Sequence, residues 1–143
     1  GLWDALLTSG MVLYGIAADD AHDFLGDFLP GLAHPGKGWV VVRVNELTAG
    51  EICASLEKGD FYASTGVELA DVQVTAAEYR ITVKPYLDAL YTTWFIGRDG
   101  KVLKEEHGLN PVYAFTGDEL YVRAKVVSSM GETAHCQPVV FKK

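Results

Sequence analysis

Residues 94–103 read Trp94-Phe95-Ile96-Gly97-Arg98-Asp99-Gly100-Lys101-Val102-Leu103, two apolar runs separated by a polar turn sequence. An Asp-Gly pair readily supplies the two positive φ angles that a type I′ turn requires. The stretch therefore predicts a β-hairpin with its turn at Arg98–Lys101, and it favours antiparallel pairing of the strands around it.

Short strands are predicted on both sides of this hairpin. Apolar and polar residues alternate at Tyr79–Lys84 and again at Leu120–Val126, and Ser129-Met130-Gly131-Glu132 is a second turn candidate before a last strand at Val139–Phe141. Six or seven strands in about 80 residues are typical of a small Ig-like antiparallel sandwich. We therefore expect residues 60–143 to form an Ig-like β-sandwich domain.

A different periodicity precedes Gly59, where helical and strand patterns alternate as they do in an α/β layer. The domain boundary is accordingly predicted after residue 59, with residues 1–59 as the first unit. The first expected element is a helix with Leu2, Leu6 and Leu7 on one face, Trp3 beside them and Gly10 after it. A buried strand at Met11–Ala17, a loop at Phe24–Gly38 and a strand at Trp39–Val44 should follow. The last element is a helix that begins at a capping box, Thr48–Glu51, ends at Gly59 and buries Ile52, Cys53 and Leu56.

Composition limits the partners of this chain. It has 143 residues and a formal net charge of −7, with only 12 basic residues. This balance argues against nucleic acid and against an anionic membrane surface, and it favours small ligands or metal cations. The longest apolar stretch is well short of the roughly 20 residues that cross a bilayer. Cys53 and Cys136 match no zinc-binding spacing, so we expect both to be reduced packing residues.

The candidate site is the Asp-x-His sequence Asp20-Ala21-His22, which follows the predicted buried strand. Carboxylate and imidazole are common metal ligands, and α/β enzymes place their chemistry where such a strand opens into a loop. On spacing alone a solvated turn with a chance Asp-x-His is the better explanation of the pair. A hydrolytic metal site needs three or four protein ligands, and no H-x-H or H-E-x-x-H sequence supplies the others. No complete catalytic set is therefore expected in this chain.

Other polar and aromatic residues each have a functional and a structural interpretation. His34 is either a substrate contact at the mouth of a site or an exposed loop histidine. His107 follows Glu105-Glu106, which is either a cation site or a solvated strand end. His135 and Cys136 should point to opposite faces of a strand, so packing is expected. Five aromatic residues lie close together in the sequence of the sandwich. They should either form a carbohydrate-binding surface or pack in the sandwich core, and they are Tyr86, Tyr91, Trp94, Phe95 and Tyr113.

Several segments in this order resemble the C-terminal portion of PHP-domain proteins, the polymerase and histidinol phosphatase family of metal-dependent phosphoesterases. The resemblance is to the subgroup with a small β-sandwich after the PHP domain. The segments are Trp3-Asp4-Ala5-Leu6-Leu7, Gly15–His22, Pro35-Gly36-Lys37-Gly38-Trp39, Leu47-Thr48, Gly59–Val67, and Tyr121-Val122-Arg123 with Gln137-Pro138.

The resemblance implies an α+β chain, in which the last α/β elements of a PHP-type distorted β/α barrel precede the sandwich. In that family the last of four metal motifs is an Asp-x-His, which Asp20 and His22 match. Asp19 takes a supporting role, and the first three motifs have no match here. The resemblance therefore implies a fragment of a protein that uses divalent ions (Zn, Mn or Fe) on a small phosphorylated substrate.

Three further expectations accompany this interpretation. Two ligands are too few to retain an ion, so we expect no metal to stay bound to this chain alone. An incomplete barrel leaves open strand edges, which makes a homo-oligomer possible. The alternative function is a non-enzymatic β-sandwich module that binds a carbohydrate or a partner domain, or one that only braces the barrel.

Overall fold

Residues 1–25 and 31–141 are described by the structure, a computed structural model of the chain. They form an α+β fold with two helices, Leu2–Thr8 (α1) and Ala49–Lys58 (α2). Nine strands account for most of the rest. They are β1 (Trp39–Val42), β2 (Phe61–Ser64), β3 (Leu69–Val74), β4 (Glu78–Val83), β5 (Tyr91–Ile96), β6 (Val102–His107), β7 (Val112–Ala114), β8 (Tyr121–Ser128) and β9 (Thr133–Val140).

The strands form two antiparallel sheets with a common core. The larger sheet has the order β1-β2-β9-β8-β5-β6, and the smaller has the order β3-β4-β7. Alternate residues of each sheet point inward, so that Ile81 of β4 and Phe95 of β5 are completely buried between the layers. This confirms the sandwich-like arrangement predicted from residue 60 onward. β1 comes from the first unit, yet it pairs with β2, with Trp39 opposite Ser64.

Both predicted turns are present. Asp99 and Gly100 have φ angles of 58° and 77°, and the Lys101 amide donates to the Arg98 carbonyl at 3.1 Å, as a type I′ turn between β5 and β6 requires. The second turn joins β8 to β9, where the Ser128 amide donates to the Glu132 carbonyl at 2.9 Å.

Helix α2 has the predicted ends. The Thr48 hydroxyl accepts a hydrogen bond from the Glu51 amide at 3.3 Å, and Gly59 ends the helix with a left-handed φ of 76°. The predicted buried face is wrong, because no residue of α2 is buried. The helix lies at the margin of the larger sheet, where Ile52 and Leu56 are only partly covered.

The two cysteines differ in their surroundings. Both are free thiols, but Cys53 is exposed on α2, which contradicts its predicted packing role. Cys136 lies in the core as predicted, and burial raises the pKa of its thiol to about 12. Neither helix in the described ranges is long and apolar enough to cross a membrane.

A buried ion pair docks α1 on the outer face of the larger sheet. The Arg123 Nε and Nη2 atoms donate to the two Asp4 carboxylate oxygens, each at 2.8 Å, and the Tyr121 hydroxyl donates to Asp4 Oδ1 at 3.0 Å. The Trp3 ring covers the guanidinium at 4.8 Å. Leu7 is buried as predicted, whereas Leu2 is exposed. The buried face of α1 therefore consists of the Asp4 carboxylate and Leu7.

Candidate functional site

The segment that leads to the Asp-x-His sequence differs from its prediction. Residues 11–20 lie in neither a helix nor a strand, and Met11, Val12 and Ile16 are 51%, 51% and 72% exposed. A buried strand needs a hydrogen-bonded neighbour, and no described residue pairs with this backbone as a strand. The predicted strand at Met11–Ala17 is therefore absent from this structure.

Side chains of other elements hold this segment on the outer face of the larger sheet. The Gln137 side chain accepts from the Gly15 amide at 2.8 Å and donates to its carbonyl at 2.7 Å. The Trp3 indole donates to the Leu13 carbonyl at 2.9 Å. The Tyr14 ring packs edge-on against Phe61, with the ring centroids 6.1 Å apart. The chain is thus positioned by polar and aromatic contacts rather than by a strand ladder.

Gly59 makes room for the Tyr14 ring. A Cβ atom at this position would lie 2.4 Å from Tyr14 Cε1, and the left-handed φ of 76° also disfavours a side chain. We expect Gly59→Ala to lower the free energy of unfolding by about 1–2 kcal/mol and to expose Tyr14. Urea titration and Tyr14 ring NMR signals measure both effects.

Gly50→Ala is the matched control, because it lies in the same helix with open space around it. It should raise the free energy of unfolding by up to about 1 kcal/mol, as alanine favours a helix. Equal effects of the two substitutions would contradict the role assigned to Gly59.

The Asp19–Asp23 loop is fastened to residues 31–38 by carboxylate and backbone hydrogen bonds. An Asp19 carboxylate oxygen accepts from the Gly36 amide at 2.5 Å, and this bond lowers the pKa of Asp19. The Asp23 carboxylate accepts from the Ala33 amide at 2.8 Å, while the His22 amide donates to the Ala33 carbonyl at 3.0 Å. Residues 26–30 of the predicted loop at Phe24–Gly38 lie outside the described residues.

The two candidate ligands lie on the outside of this fastened loop. Asp20 has a left-handed φ of 50°, and its carboxylate forms no hydrogen bond or ion pair with the described residues. The His22 side chain is 70% exposed, with Nδ1 at 2.7 Å from the Asp20 carbonyl oxygen. A carbonyl oxygen only accepts, so Nδ1 carries the proton and the neutral ring has its lone pair on Nε2.

Two other residues of the loop differ from expectation. His34 is buried, not exposed, and its Nδ1 lies 3.0 Å from the Asp23 carbonyl oxygen. Asp23 was not among the predicted site residues, although its carboxylate lies 3.8 Å from His22 Nε2. Its place directly after the Asp-x-His sequence is the only signal that could have indicated it. In the described part of the chain, no three His, Cys, Asp or Glu side chains are grouped as a metal site requires.

The remaining histidines have structural contacts. His107 Nε2 lies 3.4 Å from Glu105 on the outer face, whereas Glu106 points to the other face and contacts Lys104, so the three do not form one cation site. His135 packs against Trp3 with ring centroids 6.5 Å apart, as predicted. Burial, followed by the nearby Lys125 and Arg123 charges, lowers the pKa of His135.

The five aromatic residues do not form one surface. Tyr91, Phe95 and Tyr113 are buried in the core, and Tyr86 is exposed in a loop. Trp94 lies on the outer face of β5, where its indole donates to Glu105 at 2.7 Å.

No family model matches this chain, and neither a curated protein nor a solved structure matches it at a significant level.

Proposed function

We propose that this chain is the C-terminal part of a PHP-like metal-dependent phosphoesterase, in which Asp20 and His22 hold one divalent ion. The observation that carries the proposal is the orientation of His22. In the neutral ring, Nδ1 donates to the Asp20 carbonyl oxygen at 2.7 Å, so the lone pair that could bind a metal is on Nε2, which lies 3.8 Å from the Asp23 carboxylate. A ligand histidine in a metal site is typically oriented by such a hydrogen bond from its other nitrogen.

The donor set fits a divalent ion of the Zn, Mn or Fe type, since it combines a carboxylate oxygen with an imidazole nitrogen. Asp19 and Asp23 accept hydrogen bonds from the Gly36 and Ala33 amides, respectively, and so hold the loop that carries Asp20 and His22. When bound, divalent ions supply an activated water at neutral pH and stabilise the charge on a phosphoryl group. The remaining ligands are expected from a part of the protein outside these 143 residues.

The exposed apolar segment supports the same proposal. Met11, Val12 and Ile16 are exposed immediately before the candidate ligands. In a complete barrel, such a run is covered on both faces and paired at its edges. We therefore propose that further α/β elements of a longer chain cover residues 11–17, and that the sandwich braces this layer through Arg123 and Gln137.

The test uses the product of the complete gene, which is expected to encode an H-x-H sequence before Gly1. We expect His22→Ala and Asp20→Ala each to lower the hydrolysis of a small phosphate ester at least about 100-fold, since loss of even an outer-shell partner costs about 10- to 100-fold. Metal content measured on the same samples should fall by about one ion per chain. His107→Ala is the control, because His107 lies on the outer sheet face away from the loop.

Two results would contradict the proposal. One is wild-type activity and metal content in both loop variants. The other is phosphatase activity of the 143-residue chain itself that His22→Ala abolishes, because the site would then be complete without further ligands. The alternative function is a carbohydrate- or domain-binding module, which the position of Trp94 on the outer face favours. It is supported if the protein binds such a partner, if this binding remains when Asp20 and His22 are replaced, and if Trp94→Ala abolishes it.

A further inference from the structure

The two sheets of the sandwich differ in width, and this leaves two flanks where the larger sheet extends beyond the smaller one. At the β6 flank the gap is closed by charged side chains. Lys104 Nζ donates to the Val112 carbonyl of β7 at 2.7 Å, and Glu106 accepts from the Val112 amide at 2.9 Å. The outer edge of β7 is thereby hydrogen-bonded to the larger sheet.

The β1 flank is open. A cleft of about 520 Å³ lies there between β1, β2 and the end of β9 on one side and β3 on the other. Val41 lies opposite Tyr62 on the inner face of the larger sheet, and Val72 lies opposite Ile81 on the inner face of the smaller one. These are core positions of a sandwich, yet Val41 is 37% exposed. The interlayer core is therefore unfilled at this end.

The edge of β3 that faces the cleft is already hydrogen-bonded by side chains. The Leu69 amide donates to the Tyr62 hydroxyl at 3.1 Å, and the Val72 amide donates to the Asp71 carboxylate at 2.8 Å. Arg43 Nη2 donates to the Val72 carbonyl at 2.8 Å. A β-strand added to this edge would lose these bonds, so the cleft favours a compact molecule over an extended peptide.

Four charged side chains line the cleft, namely the cations Arg43 and Lys58 and the carboxylates of Asp60 and Asp71, so their formal charges balance. Arg43 pairs with both carboxylates, with Asp71 at 2.7 Å and with Asp60 at 3.7 Å. Lys58 also lines the cleft, and it forms no ion pair with a carboxylate of the described residues. An anionic group is the natural partner of a cation at an apolar opening.

We propose that this cleft binds a small amphipathic anion, with an apolar or aromatic body between Val41, Tyr62 and Val72 and its anionic group at Lys58. The volume lies within the roughly 300–1,000 Å³ of small-molecule sites, which likewise combine apolar walls with a few polar groups. The site uses none of the residues of the Asp-x-His loop, so it stands or fails independently of the phosphoesterase proposal.

The test uses 8-anilinonaphthalene-1-sulfonate, an aromatic anion whose fluorescence rises in apolar surroundings. We expect saturable binding of one molecule per folded chain. Val74→Trp should weaken it at least about tenfold, because Val74 is an exposed inner-face residue of β3 and the larger ring fills the cleft. Val102→Trp is the matched control, since Val102 is similarly exposed at the opposite edge of the larger sheet.

Lys58→Glu tests the anionic group separately from the apolar walls. It should weaken binding of the probe about five- to tenfold at low salt, with a smaller effect at high salt.

Competition tests the charge of the ligand. Dodecanoate should displace the probe, and dodecyltrimethylammonium should not. The proposal is overturned if the natively folded protein does not bind the probe, if both tryptophan variants bind it equally, or if the cationic amphiphile competes as well as the anionic one. If Val74→Trp does not melt cooperatively, NMR shifts of the Val41 and Val72 methyl groups on probe addition decide instead.

Discussion

Asp4→Asn is expected to lower the free energy of unfolding by about 3 kcal/mol, because it leaves the Arg123 guanidinium buried without a counter-charge. Arg123 is 7% exposed, and its two bonds to the carboxylate are both 2.8 Å long. The asparagine keeps the shape of the side chain but lacks its charge, so the loss reports on the ion pair rather than on packing. Urea unfolding at pH 7 measures it.

The effect of Asp4 should also depend on pH. Burial acts to raise the pKa of this carboxyl, but the Arg123 guanidinium and the Tyr121 hydroxyl together outweigh burial and lower it below 3.8. A pKa that is lower in the folded than in the unfolded chain stabilises the fold above the unfolded value. This stabilisation declines as the pH falls below about 4 and through the folded pKa. The Asp4→Asn protein should lack this part of the acid dependence.

A surface pair provides the control for Asp4. Glu78→Gln removes the exposed ion pair with Arg80, whose atoms are 2.8 Å apart, and should cost at most about 0.5 kcal/mol. Replacing both buried partners, Asp4→Leu with Arg123→Met, should recover much of the stability lost in the single variant. Equal, small losses in Asp4→Asn and Glu78→Gln would show that the pair does not dock α1.

Phe95→Ala is expected to cost about 4 kcal/mol, a large part of the stability of a domain this size. Phe95 is fully buried on β5, and its ring lies 6.0 Å from that of Tyr79 on β4 and 5.5 Å from that of Tyr113 on β7. Phe95 is thus one contact through which the larger sheet holds two strands of the smaller one. Its removal should also speed hydrogen exchange of the β4 amides, because the smaller sheet loses its central support.

The matched control is Phe24→Ala, which removes the same side chain from a position that is 71% exposed. Its cost should stay within about 0.5 kcal/mol. If Phe95→Ala lost no more stability than Phe24→Ala, the two sheets would not share the core described above.

Local sequence signals predicted the elements of the sandwich well. Asp99-Gly100 indicated the type I′ turn between β5 and β6, because these two residue types readily adopt positive φ angles. The alternation at Tyr79–Lys84 indicated which side chains of β4 are buried. The placement of β1 in the larger sheet was not predictable in this way, because Val40 and its neighbours pair with Phe61–Ser64 across an intervening helix. Pairing of distant strands depends on the whole sheet rather than on any local pattern.

The candidate site shows the same limit. The Asp20 and His22 pair could be found by its spacing, but its fastening depends on residues 31–38, whose carbonyl and amide groups carry no sequence signature. Met11–Ala17 has the composition of a buried strand, and composition alone cannot supply the neighbours that would pair with it. Burial of His34 likewise follows from tertiary contacts with Asp23.

The docking of α1 has a consequence for how the chain folds during synthesis. Asp4 is separated from Arg123 by 119 positions and Gly15 from Gln137 by 122, so the partners of the first segment are made long after it. At about 5–20 residues per second, the segment waits several seconds or longer for these partners. Residues 1–17 should therefore join a sandwich whose β8 and β9 are already formed.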